Sequence, residues 1–302
     1  MKIISLILGL LVFVSLAGAQ SLDGVVDLHV HFAPDVVQRS VDALELARMG
    51  HARGMRAIVL KNHYEATVTP AYLARKQNPG IEVFGSITLN RSVGGVNPAA
   101  VERMIQVEGG LGKVVWMPTN DAENQVRHGK TDKPFVPVSR NGQLLPEVKQ
   151  VLDLMAKNGL VLGTGHSSAE EDLLLIREAK SRGIKWIMAT HPMTAPVSMS
   201  LEQMKEAASL GAFIEFPANT VIGKGATLSA RQIAGAVRAI GPEHCILTSD
   251  LGQVGNPLPP DGLAQFFELL RKSGLSAADI DKMAKENPAL ILGLKKQTGS
   301  QD

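Results

Sequence analysis

Two histidines separated by one residue end an apolar segment near the start of the chain. The segment is DLHVH, at residues 27–31, and a β-strand would direct His29 and His31 to the same side. Two neutral imidazoles on one side of a strand can bind one divalent cation. The pair taken alone also fits a strand whose histidines are hydrogen-bonded core residues.

Titratable residues end several later apolar segments, although buried strands seldom carry such groups. Imidazole nitrogen and carboxylate oxygen are ligands of zinc and related metals, and three or four of them with an open position form a catalytic site. This pattern predicts a metal site that is assembled from distant parts of the sequence. The residues concerned are Lys61, His63, His166, His191, Glu215 and Asp250.

Eight short apolar segments, rich in β-branched residues, recur at intervals of about thirty residues. Such segments are typical of strands that are buried on both faces. Helix-start signals lie between them, because Ser168, Ser200 and Ser229 each begin a capping box and Asn97 precedes Pro98. The alternation predicts an α/β fold, a (β/α)8 TIM barrel, with a doubly wound open sheet as the alternative. The segments are residues 25–32, 57–62, 81–89, 113–118, 160–165, 185–190, 212–216 and 245–249.

The fourth and fifth segments are separated by an insertion over residues 120–146. Its Asn141-Gly142 pair lies between extended stretches and predicts a β-hairpin, which we expect over the mouth of the barrel. Two helical stretches follow the eighth segment, at residues 260–274 and 276–294, so the barrel has an extra C-terminal helix. Residues 296–302 are polar and predict a disordered tail.

In a (β/α)8 barrel the carboxyl ends of all strands meet at one face, where the active sites of such enzymes lie. The histidines and the aspartate fall at those ends and are therefore expected to converge. Their motifs DLHVH (27–31), TGH (164–166), ATHP (189–192) and LTSD (247–250) resemble those of the amidohydrolase superfamily of metal-dependent hydrolases. The resemblance spans most of the chain, and together with the signal-like residues 1–19 it indicates an exported branch of that superfamily.

The resemblance implies a ligand set. His29, His31 and Asp250 would hold a first metal, and His166 and His191 would hold a second or complete a single site. A histidine-rich set with one carboxylate favours zinc, as one or two divalent ions.

The chain departs from the superfamily at the fourth strand. Members with two metals commonly bridge them with a carboxylated lysine or a glutamate at the end of this strand, whereas Lys113 lies at its beginning. Lys61, at the end of the second strand, has three open interpretations. It is a carboxylated metal ligand, an ammonium that binds an anionic substrate group, or a lysine in a salt bridge at the barrel rim.

These residues predict a hydrolase in which a metal-activated water attacks a cyclic amide, a lactone or other ester, or a related bond. Asp250 is the expected proton acceptor, and either His191 or His166 the expected oxyanion stabiliser. Residues expected to contact the substrate are His63, Tyr64, Glu215 and Asn219.

Other functions fit the same site. Phosphoester hydrolysis and metal-dependent decarboxylation use similar chemistry, and the C–N or ester assignment rests on analogy with the superfamily. A non-catalytic exported barrel that binds a metal or a small ligand is an alternative of another class.

Composition limits the partners and the location. The 31 basic and 29 acidic residues give a net charge of +2, and aromatics are only 4%, so a small-molecule substrate is expected and nucleic acid is not. Residues 1–19 predict a signal peptide cleaved near Ala19, and hence export to the periplasm or beyond, without a stable membrane anchor. The barrel is assigned to residues 20–295, and a homo-oligomer is compatible with its sequence.

Overall fold

The computed structural model describes residues 22–295 of the 302-residue chain. Eight parallel strands follow one another around a barrel in chain order, which confirms the (β/α)8 fold. The first and last strands meet where Asp250 N donates to His29 O and His31 N donates to Leu251 O, each at 2.8 Å. The strands are β1 Val26–His31, β2 Ala57–Lys61, β3 Glu82–Thr88, β4 Gly112–Trp116, β5 Val161–Gly163, β6 Ile187–Ala189, β7 Phe213–Pro217 and β8 Cys245–Thr248.

Helices cover the outside of the barrel, and four of them begin at the predicted signals. Ser168, Ser200 and Ser229 each form a capping box, and Asn97 accepts hydrogen bonds at the start of the helix that contains Pro98. The helices are α1 Ala43–Ala52, α2 Val68–Gln77, α3 Pro98–Gln106, α4 Glu123–His128, α5 Pro146–Asn158, α6 Ala169–Ser181, α7 Leu201–Ser209, α8 Asn219–Ile222, α9 Ala230–Ile240, α10 Pro259–Lys272, α11 Ala277–Asp281 and α12 Asn287–Ile291.

The strands are buried along almost their whole length, as expected for a sheet covered by helices on one side and closed around side chains on the other. Trp116, at the end of β4, is completely buried, and its ring centroid lies 4.8 Å from that of His29. The barrel interior below the site is therefore packed with side chains, which support His29 from beneath.

The insertion contains the predicted hairpin and a helix that was not predicted. Ser139–Arg140 pairs antiparallel with Gln143–Leu144 around Asn141, whose positive φ of 52° suits a two-residue turn. The expected position over the mouth is wrong, because the hairpin packs beside α6 through Ser139 Oγ and Glu171 Oε1, 2.8 Å apart. Helix α4 reaches the mouth instead, because its Gln125 lines the cavity there.

The predicted C-terminal helices are present. Helix α10 follows β8, and α11 continues through a π-helical turn, Lys282–Glu286, into α12. Within residues 22–295, no helix is both long enough and apolar enough to cross a membrane. The predicted signal peptide and the predicted tail lie outside the described residues.

Candidate metal centre

Three predicted ligands converge at the carboxyl end of the barrel. Nε2 of His29 and Nε2 of His31 each lie 3.0 Å from Oδ1 of Asp250, which follows β8. The ligand atoms of the three side chains lie within 4.8 Å of one another. Two imidazole nitrogens and a carboxylate oxygen at this spacing fit a divalent cation such as zinc.

Glu215, on β7, orients His29. Its Oε1 lies 2.8 Å from His29 Nδ1 and accepts from Thr248 Oγ1, and its Oε2 accepts from the His191 backbone N–H. Because an ionised carboxylate only accepts hydrogen bonds, His29 Nδ1 carries a proton and Nε2 faces the other ligands. Burial lowers the pKa of His29, but Asp250 and Glu215 outweigh it and raise that pKa to about 9.

A second pair of histidines lies beside the first group. Nε2 of His166 and Nε2 of His191 are 3.2 Å apart. The Nδ1 proton of His166 is fixed by Gln125 Oε1 on α4, at 2.8 Å, which leaves Nε2 for a ligand. Burial lowers the pKa of both histidines, so both rings are neutral and able to bind a metal.

Two site residues have an unusual backbone. His191 and Asp250 have φ values of 30° and 46°, in a region that non-glycine residues seldom occupy. Such conformations concentrate at functional sites, where the surrounding fold holds them. Gly252 lets the loop after β8 approach β1, because a Cβ there would lie 2.1 Å from the His31 carbonyl oxygen.

Lys61 is buried inside the barrel. Its Nζ lies 2.8 Å from His29 Nε2 and 4.3 Å above the ring of Trp116, and these contacts are to rings rather than to a carboxylate. Burial lowers the pKa of Lys61 to about 8, although Asp250 and Glu215 oppose this shift. Trp116 occupies the fourth-strand position where two-metal relatives were expected to carry a bridging residue.

His63 is held with one ring nitrogen toward the cavity. Its Nδ1 lies 2.8 Å from Thr119 Oγ1, which also accepts from Asn90 Nδ2 at 2.8 Å. The Thr119 hydroxyl proton therefore suits His63 Nδ1, and the ring proton then lies on Nε2. Burial, with neighbouring histidines, lowers the pKa of His63 well below its ordinary value, so its ring is a neutral donor.

A cavity of about 450 Å³ opens above these residues. Glu215 and Tyr64, which were predicted to contact substrate, are outside its lining: Glu215 is buried beneath His29, and Tyr64 lies against the ring of His63. The predicted site residues that line the cavity are His31, Lys61, His63, His166, His191, Asn219 and Asp250.

Two further residues at the cavity were not predicted from the sequence. Gln125 fixes the ring of His166, and Arg39 lines the wall formed by the loop after β1. Gln125 has no motif around it. Arg39 follows Asp35 by four residues, a charge pair that is also common in exposed loops.

Comparison with known proteins identifies a family and a set of folds. The family described as "Family of unknown function (DUF6282)" matches residues 24–215. No curated protein matches the chain.

Several solved structures share the fold. A zinc-bound amidohydrolase from Burkholderia multivorans has 17% identity and a TM-score of 0.57, covering 90% of this chain and 99% of that one. Organophosphorus hydrolase from Deinococcus radiodurans has 16% identity, coverage of 90% and 93%, and a TM-score of 0.59. A 2,6-dihydroxybenzoate decarboxylase has 15% identity, coverage of 90% and 100%, and a TM-score of 0.53. The predicted resemblance to amidohydrolases is thus confirmed for the fold.

Proposed function

The chain belongs to the DUF6282 family of unknown function, and from its site we propose that it is a metal-dependent hydrolase of the amidohydrolase type. The observation that carries this proposal is the convergence of His29, His31 and Asp250 within 4.8 Å at the mouth of the barrel. The adjoining pair, His166 and His191, supports a second ion or a completed single site. Zinc is the proposed ion, since nitrogen-rich sites suit it and a fold neighbour binds it.

The bound metal would activate a water and polarise the scissile oxygen of the substrate. Asp250 is assigned as the proton acceptor. Burial opposes its ionisation, but His29 and His31 outweigh burial and hold its pKa well below the ordinary value. An ionised carboxylate beside the reacting group is in the form that accepts a proton, which it can then pass to the leaving group.

Neutral imidazoles stabilise the negative charge that develops on the substrate oxygen. His191 is the first candidate, because it lines the cavity beside His166 and its ring can serve either as a ligand or next to the substrate. His63 adds a neutral N–H donor, and Asn219, which lines the same cavity, adds an amide. These three residues bind and orient the substrate in this proposal.

Lys61 is proposed to be carboxylated. Its neutral amine adds to carbon dioxide, forming an N–C bond and releasing one proton, and the product is a carbamate. The pKa of about 8, caused by burial, makes the neutral amine available. An ammonium 2.8 Å from His29 Nε2 would repel a metal at that nitrogen, whereas a carbamate would add a ligand.

The bond attacked is proposed to be a cyclic amide or a lactone or other ester. Among the fold neighbours are an organophosphorus hydrolase and a decarboxylase, so phosphoester cleavage and decarboxylation are the alternatives on the same residues. A non-catalytic metal-binding barrel is the alternative without turnover. We also infer export from residues 1–19, with a small molecule as the partner.

A substrate panel tests the reaction class. The purified protein, loaded with zinc, is assayed against dihydropyrimidine-type cyclic amides, lactones and aryl phosphates, with and without chelator. We expect turnover of a cyclic amide or lactone that chelator abolishes and added zinc restores. Turnover of aryl phosphates alone would assign the phosphoester alternative, and a zinc-loaded protein inactive across the panel would contradict a hydrolase.

A further inference from the structure

Arg39 is a cavity residue with no part in the proposed metal chemistry. It lies on the loop between β1 and α1, and its side chain is only 5% exposed. It lines the same cavity as His31, His166 and Asp250. The N–H donors of a guanidinium that is buried at the wall of a cavity need hydrogen-bond partners.

Asp35 holds the guanidinium from one side only. Nε and Nη2 of Arg39 both lie 2.6 Å from a single oxygen, Asp35 Oδ2. The other oxygen, Oδ1, accepts from the Val36 backbone N–H, and Asp35 does not line the cavity. Asp35 therefore positions Arg39 and leaves its remaining N–H donors for the cavity side.

The backbone that carries Arg39 is fixed to the metal strands. Ser40 N donates to Gly252 O at 2.9 Å, and Arg39 bridges Gln253 in an antiparallel pair. The loop after β1 is thus tied to the loop after β8, which contains Asp250. A guanidinium on such a support is preorganised for a ligand, which lowers the entropic cost of binding.

The charges around the cavity favour an anion. Asp250 is the single carboxylate among the lining residues, all of which lie in the described part of the chain, and it faces His29 and His31. No other carboxylate among these lining residues is available to neutralise Arg39.

We propose that Arg39 binds a carboxylate group of the substrate, so that the substrate class is a cyclic amide or lactone that bears a carboxylate. This inference rests on the proposed function and adds the anionic group to it. A guanidinium fork matches a carboxylate in two parallel hydrogen bonds. The single guanidinium of Arg39 is already paired with Asp35. It therefore suits a singly charged carboxylate better than a doubly charged phosphate.

Binding of dicarboxylates tests the proposal. Succinate, glutarate and adipate are each titrated by calorimetry against their uncharged diamides, with the zinc-loaded and the metal-free protein. The diacid whose length matches is expected to bind about tenfold or more tightly than its diamide, because charge-assisted hydrogen bonds are stronger than neutral ones. In metal-free Arg39→Gln this preference is expected to disappear.

Controls separate recognition from folding. Arg48→Gln, which breaks an exposed pair with Glu45 on α1, is expected to keep the preference. The double variant Asp35→Asn/Arg39→Gln leaves no buried lone carboxylate, and is expected to lose the preference as Arg39→Gln does. Equal binding of every diacid and its diamide, or a preference that survives in both Arg39 variants without metal, would overturn the proposal.

The same preparations also distinguish a failure of this inference from a failure of the proposed function. Zinc content and turnover are measured on each of them. A protein that hydrolyses a panel substrate but lacks the diacid preference contradicts only the role of Arg39. A protein with an Arg39-dependent preference and no turnover contradicts only the hydrolase.

Discussion

Both ring nitrogens of His29 contact charged side chains, and these contacts define the site. Nδ1 is tied to Glu215, and Nε2 faces Asp250 and Lys61. A carboxylate behind a metal-binding histidine fixes its ring and raises its basicity as a ligand. Glu215 therefore acts through His29 rather than on the substrate.

Asp250→Asn tests the assigned proton acceptor. Asparagine keeps a ligand oxygen but loses the ionised carboxylate, so kcat is expected to fall by about a hundredfold or more. Zinc content, measured on the same preparation, should remain above half of the wild-type value. Full turnover with any substrate of the wild-type protein would remove Asp250 from this role.

Lys61→Met tests the proposed carbamate. Methionine fills similar volume without an amine, so the protein should lose part of its bound zinc and the carbamate signal in ¹³C NMR with labelled bicarbonate. Lys113→Met is the matched control, because that lysine lies at the other end of a strand, over Phe84. A wild-type protein without a carbamate signal, whose zinc content Lys61→Met leaves unchanged, would favour an ammonium at this position.

Helix α4 is the element that completes the second histidine pair. It belongs to the insertion, and its Gln125 fixes the Nδ1 proton of His166. In Gln125→Leu we expect zinc to bind about ten- to a hundredfold more weakly at this pair, as for other partners of metal-binding histidines. Arg127→Gln, an exposed change on the same helix, should leave affinity unchanged. Equal affinity in both variants would show that α4 does not support the metal.

A buried acid connects α6 to the strands beneath the site. Asp172 accepts from Thr164 Oγ1 at 2.8 Å, and Thr164 Oγ1 accepts from Thr190 N. Burial raises the pKa of Asp172 well above its model-compound value of 3.8, against the Thr164 hydrogen bond. The folded state therefore binds a proton that the unfolded state releases.

That difference predicts how stability varies with pH. The stabilisation from Asp172 is complete below pH 3.8 and is lost as the pH rises toward the raised pKa of the folded protein. Asp172→Asn should flatten the decrease in the free energy of unfolding as the pH rises above 3.8, measured by urea denaturation at a series of pH values. The exposed substitution Asp132→Asn should leave this decrease unchanged. An unchanged slope in Asp172→Asn would contradict a buried neutral acid.

The sequence predicted the parts of the site that depend on local pattern. Period-two alternation and strand ends are local features, and they place His29, His31 and Asp250 at one face of the barrel. Gln125 and Arg39 were not found, because their roles depend on contacts across loops. Gln125 reaches a histidine 41 residues later, and Arg39 depends on backbone pairing with the loop after β8.

The fold was predictable for the same reason, and its insertion less so. All eight strands and the capping boxes follow from residue pattern within short windows. The hairpin was found from its Asn-Gly turn, but its position was not, because the turn says nothing about which surface the hairpin packs against. Helix α4 is six residues long and has no side-chain cap, so no start signal indicated it.

The barrel as a whole brings together, at one mouth, ligands that are more than two hundred residues apart in the sequence. The packed barrel interior supports them from beneath. Metal binding by this arrangement would stabilise the folded chain, because the unfolded chain has no such site. The central claim is therefore that the cluster of His29, His31 and Asp250 binds a metal.

Metal content measures this claim directly. The purified protein, reconstituted with zinc and desalted, is analysed by inductively coupled plasma mass spectrometry beside His29→Asn/His31→Asn and His244→Asn. His244 lies at the opposite end of β8 and is the matched control. We predict one or two bound ions in wild type and in His244→Asn, and a loss of at least one in the double variant. A wild-type chain without bound metal, or a double variant that keeps all of it, would contradict the account.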